Sequence, residues 1–288
     1  MEKIAIATDS TCDLTEEELK KYDIRTVSLQ VIYPNGDTFR DRREINTKKV
    51  AKDLVDQNIK TSLPIGKDIL DLLDEFYENQ YTHVILSPLS SGLSGTYEFM
   101  NGLKAEYEGK LVIEVIDHKS VSAGFGYPLI MASKARNKGQ SFSEIVSLLN
   151  EYSKNVEIYF AVDDLTYLQR GGRISKASEV VANILDIKPV ITVTEKGTLE
   201  VDQKVRGIKK SMRSVANKLV QFSKGREIEK IFIVHSSAPE KADFLKNCFE
   251  KAFPDQNIDL EIYELSSLLT VHTGPGLCGA GIFIKQHI

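Results

Sequence analysis

The chain has 288 residues, 42% of them hydrophobic and 27% charged, which excludes global disorder and leaves room for about two domains. Its 37 basic and 41 acidic residues give a formal net charge of -4, so no overall attraction to nucleic acid or anionic lipid is expected and any anion site must be local. Cys12, Cys248 and Cys278 are far apart and form no CxxC pair, which argues for a reducing compartment and against a zinc or iron-sulfur cage.

The opening MEKIAIATDS lacks the apolar stretch of a secretory signal, and charge interrupts every apolar segment before it reaches membrane-spanning length. The expectation is a cytoplasmic protein without a transmembrane span. Short apolar, β-branched runs predict strands at 4–9, 27–33, 84–88, 111–117, 158–162, 189–193, 230–236, 260–265 and 280–285. Between them, amphipathic helices are predicted at 67–77, 142–152, 208–222 and 242–253, the first with Ile69, Leu70, Leu72, Leu73 and Phe76 on one side. The order is that of an α/β protein. IAIATD and HVILSP lack polar alternation, as parallel strands covered on both faces do. Shorter elements and turns at Lys196-Gly197 and Lys224-Gly225 predict a smaller, more mixed sheet after a boundary near 154–157.

Ligands of open α/β sheets sit outside the carboxyl ends of strands, so polar residues directly after apolar runs are informative. Thr8, Asp9, Ser10 and Thr11 follow IAIA and serve equally well as a helix cap. Thr61 and Ser62 precede Pro64, a rigid turn that aims two hydroxyls at an anion or uses Ser62 as a plain cap. The run Ser90–Tyr97 combines glycines with hydroxyls, which suits an uncharged anion cradle centred on Ser94 or a simple turn. It lacks the Lys of a P-loop, the spacing of a dinucleotide fingerprint and the GxSxG of a nucleophile elbow. Asp163 and Asp164 are adjacent on an extended segment and point apart, so they make a poor metal pair. Arg173 follows two glycines and can fork onto a carboxylate or phosphate, or bridge two lobes structurally.

From Gln203 to Arg226 eight Lys and Arg residues occur without an Asp or Glu, a local positive face suited to phosphate or an acidic partner, or a solvated helix face. Only Phe222 lies among them, so single-stranded nucleic acid fits poorly. His272 sits in a tight HTGPG loop and is a candidate donor to an oxyanion. No HExxH or similar spacing supports a metal.

Taken in order, TDSTCDL (8–14), TSLP (61–64), LSSGLSGTY (89–97), IDHKS (116–120), LQRGGRIS (168–175), KPVI (188–191) and HTGPG (272–276) resemble the DegV family of bacterial fatty-acid-binding proteins. The resemblance covers essentially the whole chain. It implies an N-terminal parallel α/β lobe (1–155) and a smaller C-terminal α/β lobe with a mixed sheet (156–288), the second completing the acyl pocket and offering a partner face. The ligand implied is one long-chain fatty acid, with no other cofactor and no metal. Some Gram-positive members present that acid to a separate ATP-using kinase subunit, which makes an acyl phosphate for phospholipid synthesis.

Carried over by motif, Thr61 or Ser62 and Ser94 are the implied carboxylate donors, with Gly95, Thr96 and His272 completing the ligand-binding set. Arg173, Arg206 and His272 are implied to border the phosphoryl-transfer end, the protein not being catalytic alone. Transient peripheral membrane contact fits such a carrier. One departure is Leu63, where members often have Gln in TSQP. Moving a 16-carbon chain out of water is worth roughly 12 kcal/mol before entropy and desolvation are subtracted. Two other functions compete: a free-standing serine-dependent acyl hydrolase or transferase using Ser94, His272 and an Asp, and a lipid-responsive regulator acting on an acidic partner through the basic run.

Overall fold

Every residue of the first strand, β1 (Ile4–Asp9), is buried, which accounts for its lack of polar alternation. The structure, a computed structural model, describes residues 2–174, 186–254 and 256–285. β1 lies between β2 (Ile24–Val27) and β6 (His83–Ser87), and β6 pairs with β7 (Val112–Val115), all in parallel, giving a four-stranded sheet of order β2-β1-β6-β7. On one side the helix Gly66–Glu78 buries Ile69, Leu72, Leu73 and Phe76 in a core shared with Ala5, Val84 and Leu86.

The run 27–33, predicted as one strand, is divided. Val27 ends β2, and Gln30 starts β3 (Gln30–Ile32), which joins β4 (Thr38–Arg40) and β5 (Lys60–Ser62) in a separate antiparallel sheet of order β4-β3-β5. At the break the Leu29 amide donates to Ser10 Oγ at 3.2 Å and the Leu29 carbonyl accepts from Asp41 N at 2.9 Å. These tertiary partners redirect a chain whose local pattern reads as continuous, and the redirection delivers Thr61 and Ser62 on β5.

The third sheet contains β8 (Val156–Ala161), β9 (Val190–Val193), β10 (Leu199–Gln203), β11 (Ile228–His235), β12 (Leu260–Glu264) and β13 (Cys278–Ile284) in the order β10-β9-β8-β13-β11-β12. Only β11 and β12 run parallel, so the sheet is mixed as expected. It has six strands against four in the parallel sheet and is therefore the larger, because β13 returns to pair with both β8 and β11.

The helix Ala123–Asn137 escapes prediction because every residue from Ala123 to Ile130 is buried and it shows no amphipathic period. Its Ala123, Phe125, Tyr127 and Leu129 share one core with Ile6 and Ile85 of the parallel sheet and with Phe160, Phe232 and Phe283 of the mixed sheet. The helix Phe142–Tyr152 joins that core through Ile145, Leu149 and Tyr152 and starts at a capping box formed by Ser141 and Glu144. Among the described residues no helix is long and apolar enough to cross a membrane.

Candidate functional site

Asp9 organises the strand ends. Its carboxylate accepts from Thr11 N at 2.8 Å, from Thr11 Oγ1 at 2.6 Å and from Leu89 N at 2.7 Å, and burial raises its pKa. It caps the turn Ser10–Cys12 and fixes the loop after β6, so the cap reading describes it. Along that loop the Ser90 hydroxyl donates to Gly197 O at 2.9 Å, tying the parallel-sheet side to the β9–β10 turn. Ser94 Oγ is hydrogen-bonded to Thr96 Oγ1 at 2.8 Å and accepts from Thr96 N at 3.3 Å. Thr96 itself is buried and starts the helix Thr96–Gly102, so it orients Ser94 rather than facing the cavity.

Opposite stands β5. Thr61 Oγ1 is hydrogen-bonded to His272 Nε2 at 2.8 Å, and Gln30 Nε2 donates to the carbonyl of Leu63 at 2.8 Å. His272 lies in the short helix Ser267–Thr273, not in a loop, and packs so close to Gly171 that a Cβ there would stand 2.5 Å from Nδ1. Burial, and then the positive charge of Arg173, push the His272 pKa down to about 4, so the ring is neutral near pH 7. Its Nδ1 has no hydrogen-bond partner among the described residues. Arg173 is exposed; its Nε donates to Leu93 O at 3.2 Å and its Nη1 to Gly171 O at 2.5 Å.

The helix carrying His272 is held from the N-terminal half. Asp13 accepts from Ser266 N at 2.8 Å, Asp41 accepts from Leu268 N at 3.3 Å, and the Thr47 hydroxyl donates to Leu265 O at 2.6 Å. Burial pushes the carboxyl pKa of Asp13 up to about 7 and that of Asp41 up to about 6, against the opposing charge of Arg42. Beyond the helix, Lys241 Nζ donates to Asp163 Oδ2 at 2.6 Å and to Gly276 O at 2.8 Å, while Asp164 accepts from Thr166 N at 2.8 Å. The two aspartates thus act apart, one as a loop anchor and one as a cap.

Thr61, Ser62, Ser94, Gly95, Arg173 and His272 meet at one end of a cavity of about 280 Å³. Beyond this mouth the lining is almost wholly apolar, with Leu63, Leu93, Phe160, Leu168, Phe232 and Leu268 contributed by several elements. Leu63, the departure from the TSQP pattern, faces the cavity directly and extends its apolar wall. On the far side of Thr61, His272 and Arg173 lies a second cavity of about 260 Å³ that Lys60 and Arg170 also border.

Arg206 does not join the others. It is exposed, bridges to Ile187 ahead of the helix Ile208–Ser223, and lines neither cavity. Ser175 of the LQRGGRIS motif lies outside the described residues. Sequence reasoning missed Ser122, Leu268 and Leu269 as lining residues; no local pattern marks them, and the last two are held in place by the Asp13 and Asp41 contacts from distant segments. His118 of the IDHKS motif is buried without a hydrogen-bond partner on either nitrogen among the described residues, and burial holds its pKa down to about 4. In the basic run, Lys218 pairs with Asp202 at 2.7 Å and Arg213 lies over the Phe244 ring.

The result is a three-sheet α/β protein with an apolar cavity whose one end carries hydroxyls, a neutral imidazole and a guanidinium. The chain belongs to the DegV family: the family model described as "Uncharacterised protein, DegV family" matches residues 3–285. It is 36% identical over 283 residues to a DegV domain-containing protein of Clostridium acetobutylicum, covering 97% of this chain and 98% of that one. Among solved structures, a fatty acid binding DegV family protein from Streptococcus agalactiae is 29% identical with a TM-score of 0.90, covering 99% of this chain and 100% of that one. A stearic acid-binding protein from Eubacterium ventriosum is 27% identical with a TM-score of 0.88, covering 99% of each chain. The family read from the ordered motifs is therefore the right one.

Proposed function

We propose that this chain binds one long-chain fatty acid, with the carboxylate at the Thr61–Ser94–His272 mouth and the acyl chain in the cavity, and presents it to a separate ATP-dependent kinase subunit. The observation that carries the reading is the join between a small polar mouth and an otherwise apolar lining. In this account residues 1–155 form the lipid-binding lobe and 156–288 complete the pocket and bear the partner face, within the cytoplasm and with transient membrane contact during loading.

The hydroxyl of Thr61 has one proton. If His272 carries its own proton on Nε2, it donates to Thr61 Oγ1 and leaves the Thr61 O–H free to donate to a carboxylate; the reverse tautomer spends that proton on the imidazole. A bound carboxylate therefore selects the Nε2–H form, with Nδ1 left as the unpartnered nitrogen. Ser94, held by Thr96, supplies a second uncharged donor. The acid stays ionised, hence nucleophilic, while Arg173 stands ready to counter charge on a transferring phosphoryl group. Arg206 belongs in this account to the partner-facing surface.

The hydrolase reading has less support, because Ser94 is paired with Thr96 and the His272 Nε2 with Thr61, so no Ser94–His272 hydrogen bond is formed among the described residues. Calorimetric titration with palmitate and with its methyl ester separates the readings. Carboxylate recognition predicts at least about tenfold tighter binding of the acid. Equal affinities refute it, and steady release of palmitate from the ester favours the hydrolase.

A further inference from the structure

The central strand of the mixed sheet has glycine where the cavity needs a floor. On β13, Cys278, Ala280, Ile282 and Ile284 face one core, and Gly279, Gly281 and Phe283 alternate onto the other face, toward the cavity side. The register sorts the neighbours into rungs: Phe160, Gly279 and Val234 in the first; Ile158, Gly281 and Phe232 in the second; Val156, Phe283 and Lys230 in the third. Side chains of the first two rungs line the cavity and those of the third do not. The mouth lies toward the start of β13, where Ser236 N donates to Leu277 O and the helix bearing His272 joins. Gly281 is four residues deeper than Leu277, about 13 Å along the strand.

At that depth a Cβ on Gly281 would lie 2.2 Å from Phe232 Cζ and 2.5 Å from Cε1, so the Phe232 ring lies across the space the glycine leaves empty. Behind it, Phe283 has its ring centroid 5.7 Å from that of Phe232 and 5.0 Å from that of Tyr127. Tyr127 and Tyr152 both donate to Glu229 Oε1, at 3.0 and 2.6 Å, which fixes this aromatic wall in place.

We propose that Phe232, seated over Gly281, is the stop that sets how long an acyl chain the cavity accepts. This rests on the fatty-acid reading and names the specificity determinant of the same site. Removing the ring opens the trough over Gly281 as far as Phe283. Adding a methyl at 281 cannot coexist with the ring in place, and with the sheet behind it the ring is driven into the cavity.

The test offers purified, delipidated parent, Phe232→Ala, Phe232→Leu and Gly281→Ala an equimolar series of saturated acids from myristate to arachidate, then extracts and quantifies what is retained; thermal melts confirm folding. Phe232→Ala is expected to shift retention toward longer acids by roughly fourfold for each further methylene buried, and Gly281→Ala toward shorter ones. Phe232→Leu shifts in the same direction as Phe232→Ala by less, and decides the matter if the alanine variant does not fold. Folded variants with the parent's profile, or both sites moving it the same way, overturn the stop. A parent that retains no acid at all overturns the binding reading itself.

Discussion

Replacing Thr61 with valine keeps the shape of the side chain and removes only its hydroxyl, which is hydrogen-bonded to His272 Nε2 at 2.8 Å. Two effects follow. In the unliganded protein the His272 ring, whose Nδ1 already lacks a partner among the described residues, loses its remaining one, a cost of about 1–3 kcal/mol in stability for an unsatisfied buried group. In the complex the carboxylate loses a donor, and hydrogen bonds to charged groups are worth about 1.5–3 kcal/mol, equivalent to a Kd roughly 10 to 150 times weaker. Isothermal titration with oleate below its aggregation limit reads the second effect and thermal denaturation the first. Thr61→Ser keeps a hydroxyl at the same position and should recover most of the affinity. A Thr61→Val protein that binds within twofold of the parent, with Thr61→Ser indistinguishable from both, would show that this hydroxyl does not hold the carboxylate.

Arg173 is exposed and contacts the mouth through backbone carbonyls of Leu93 and Gly171, so Arg173→Ala should keep fatty-acid binding while slowing acyl-phosphate formation by about a hundredfold or more in the presence of a cognate kinase. Equal rates for variant and parent would remove Arg173 from the phosphoryl-transfer end. A second expectation concerns pH. Folded Asp13 keeps its proton up to about 7 whereas the unfolded chain releases it near the ordinary 3.8, so across that window the folded state binds more protons and stability falls as pH rises. Asp13→Asn removes this contribution, and its melting temperature relative to the parent should climb from about pH 4 to about pH 8; a constant difference over that range contradicts the assigned burial.

Much of this architecture is legible from local pattern. β1 and β6 are continuous apolar runs because both faces are covered, and Ser94 in the loop after β6 reaches the mouth as a strand-end residue of an open sheet should, whereas the polar residues after β1 form a cap. Thr61, Ser94, Arg173 and His272 come from segments far apart in the chain, yet each lies within three residues of a glycine or proline. What stayed hidden depends on partners distant in sequence. The break at Ser28 and Leu29 is set by Ser10 and Asp41, and nothing within the run announces it. The helix Ala123–Asn137 carries no charged residue before Lys134 and is buried through Ile130, so periodicity has no polar face to find there. Arg206 looked equivalent to Arg173 by motif, but the bridge to Ile187 keeps it on an exposed face away from both cavities. The glycines of β13 gain meaning only from the register that sets Phe160 and Phe232 beside them.

Native mass spectrometry of the purified chain, followed by organic extraction and identification of what it released, tests the central claim most directly. The account predicts one acyl carboxylate per chain, retained through purification because the cavity encloses it, or taken up stoichiometrically when palmitate or oleate is added to delipidated protein. A chain that is empty as purified and also fails to take up either acid would contradict it, and the hydroxyls at the mouth would then belong to a site for a smaller anion.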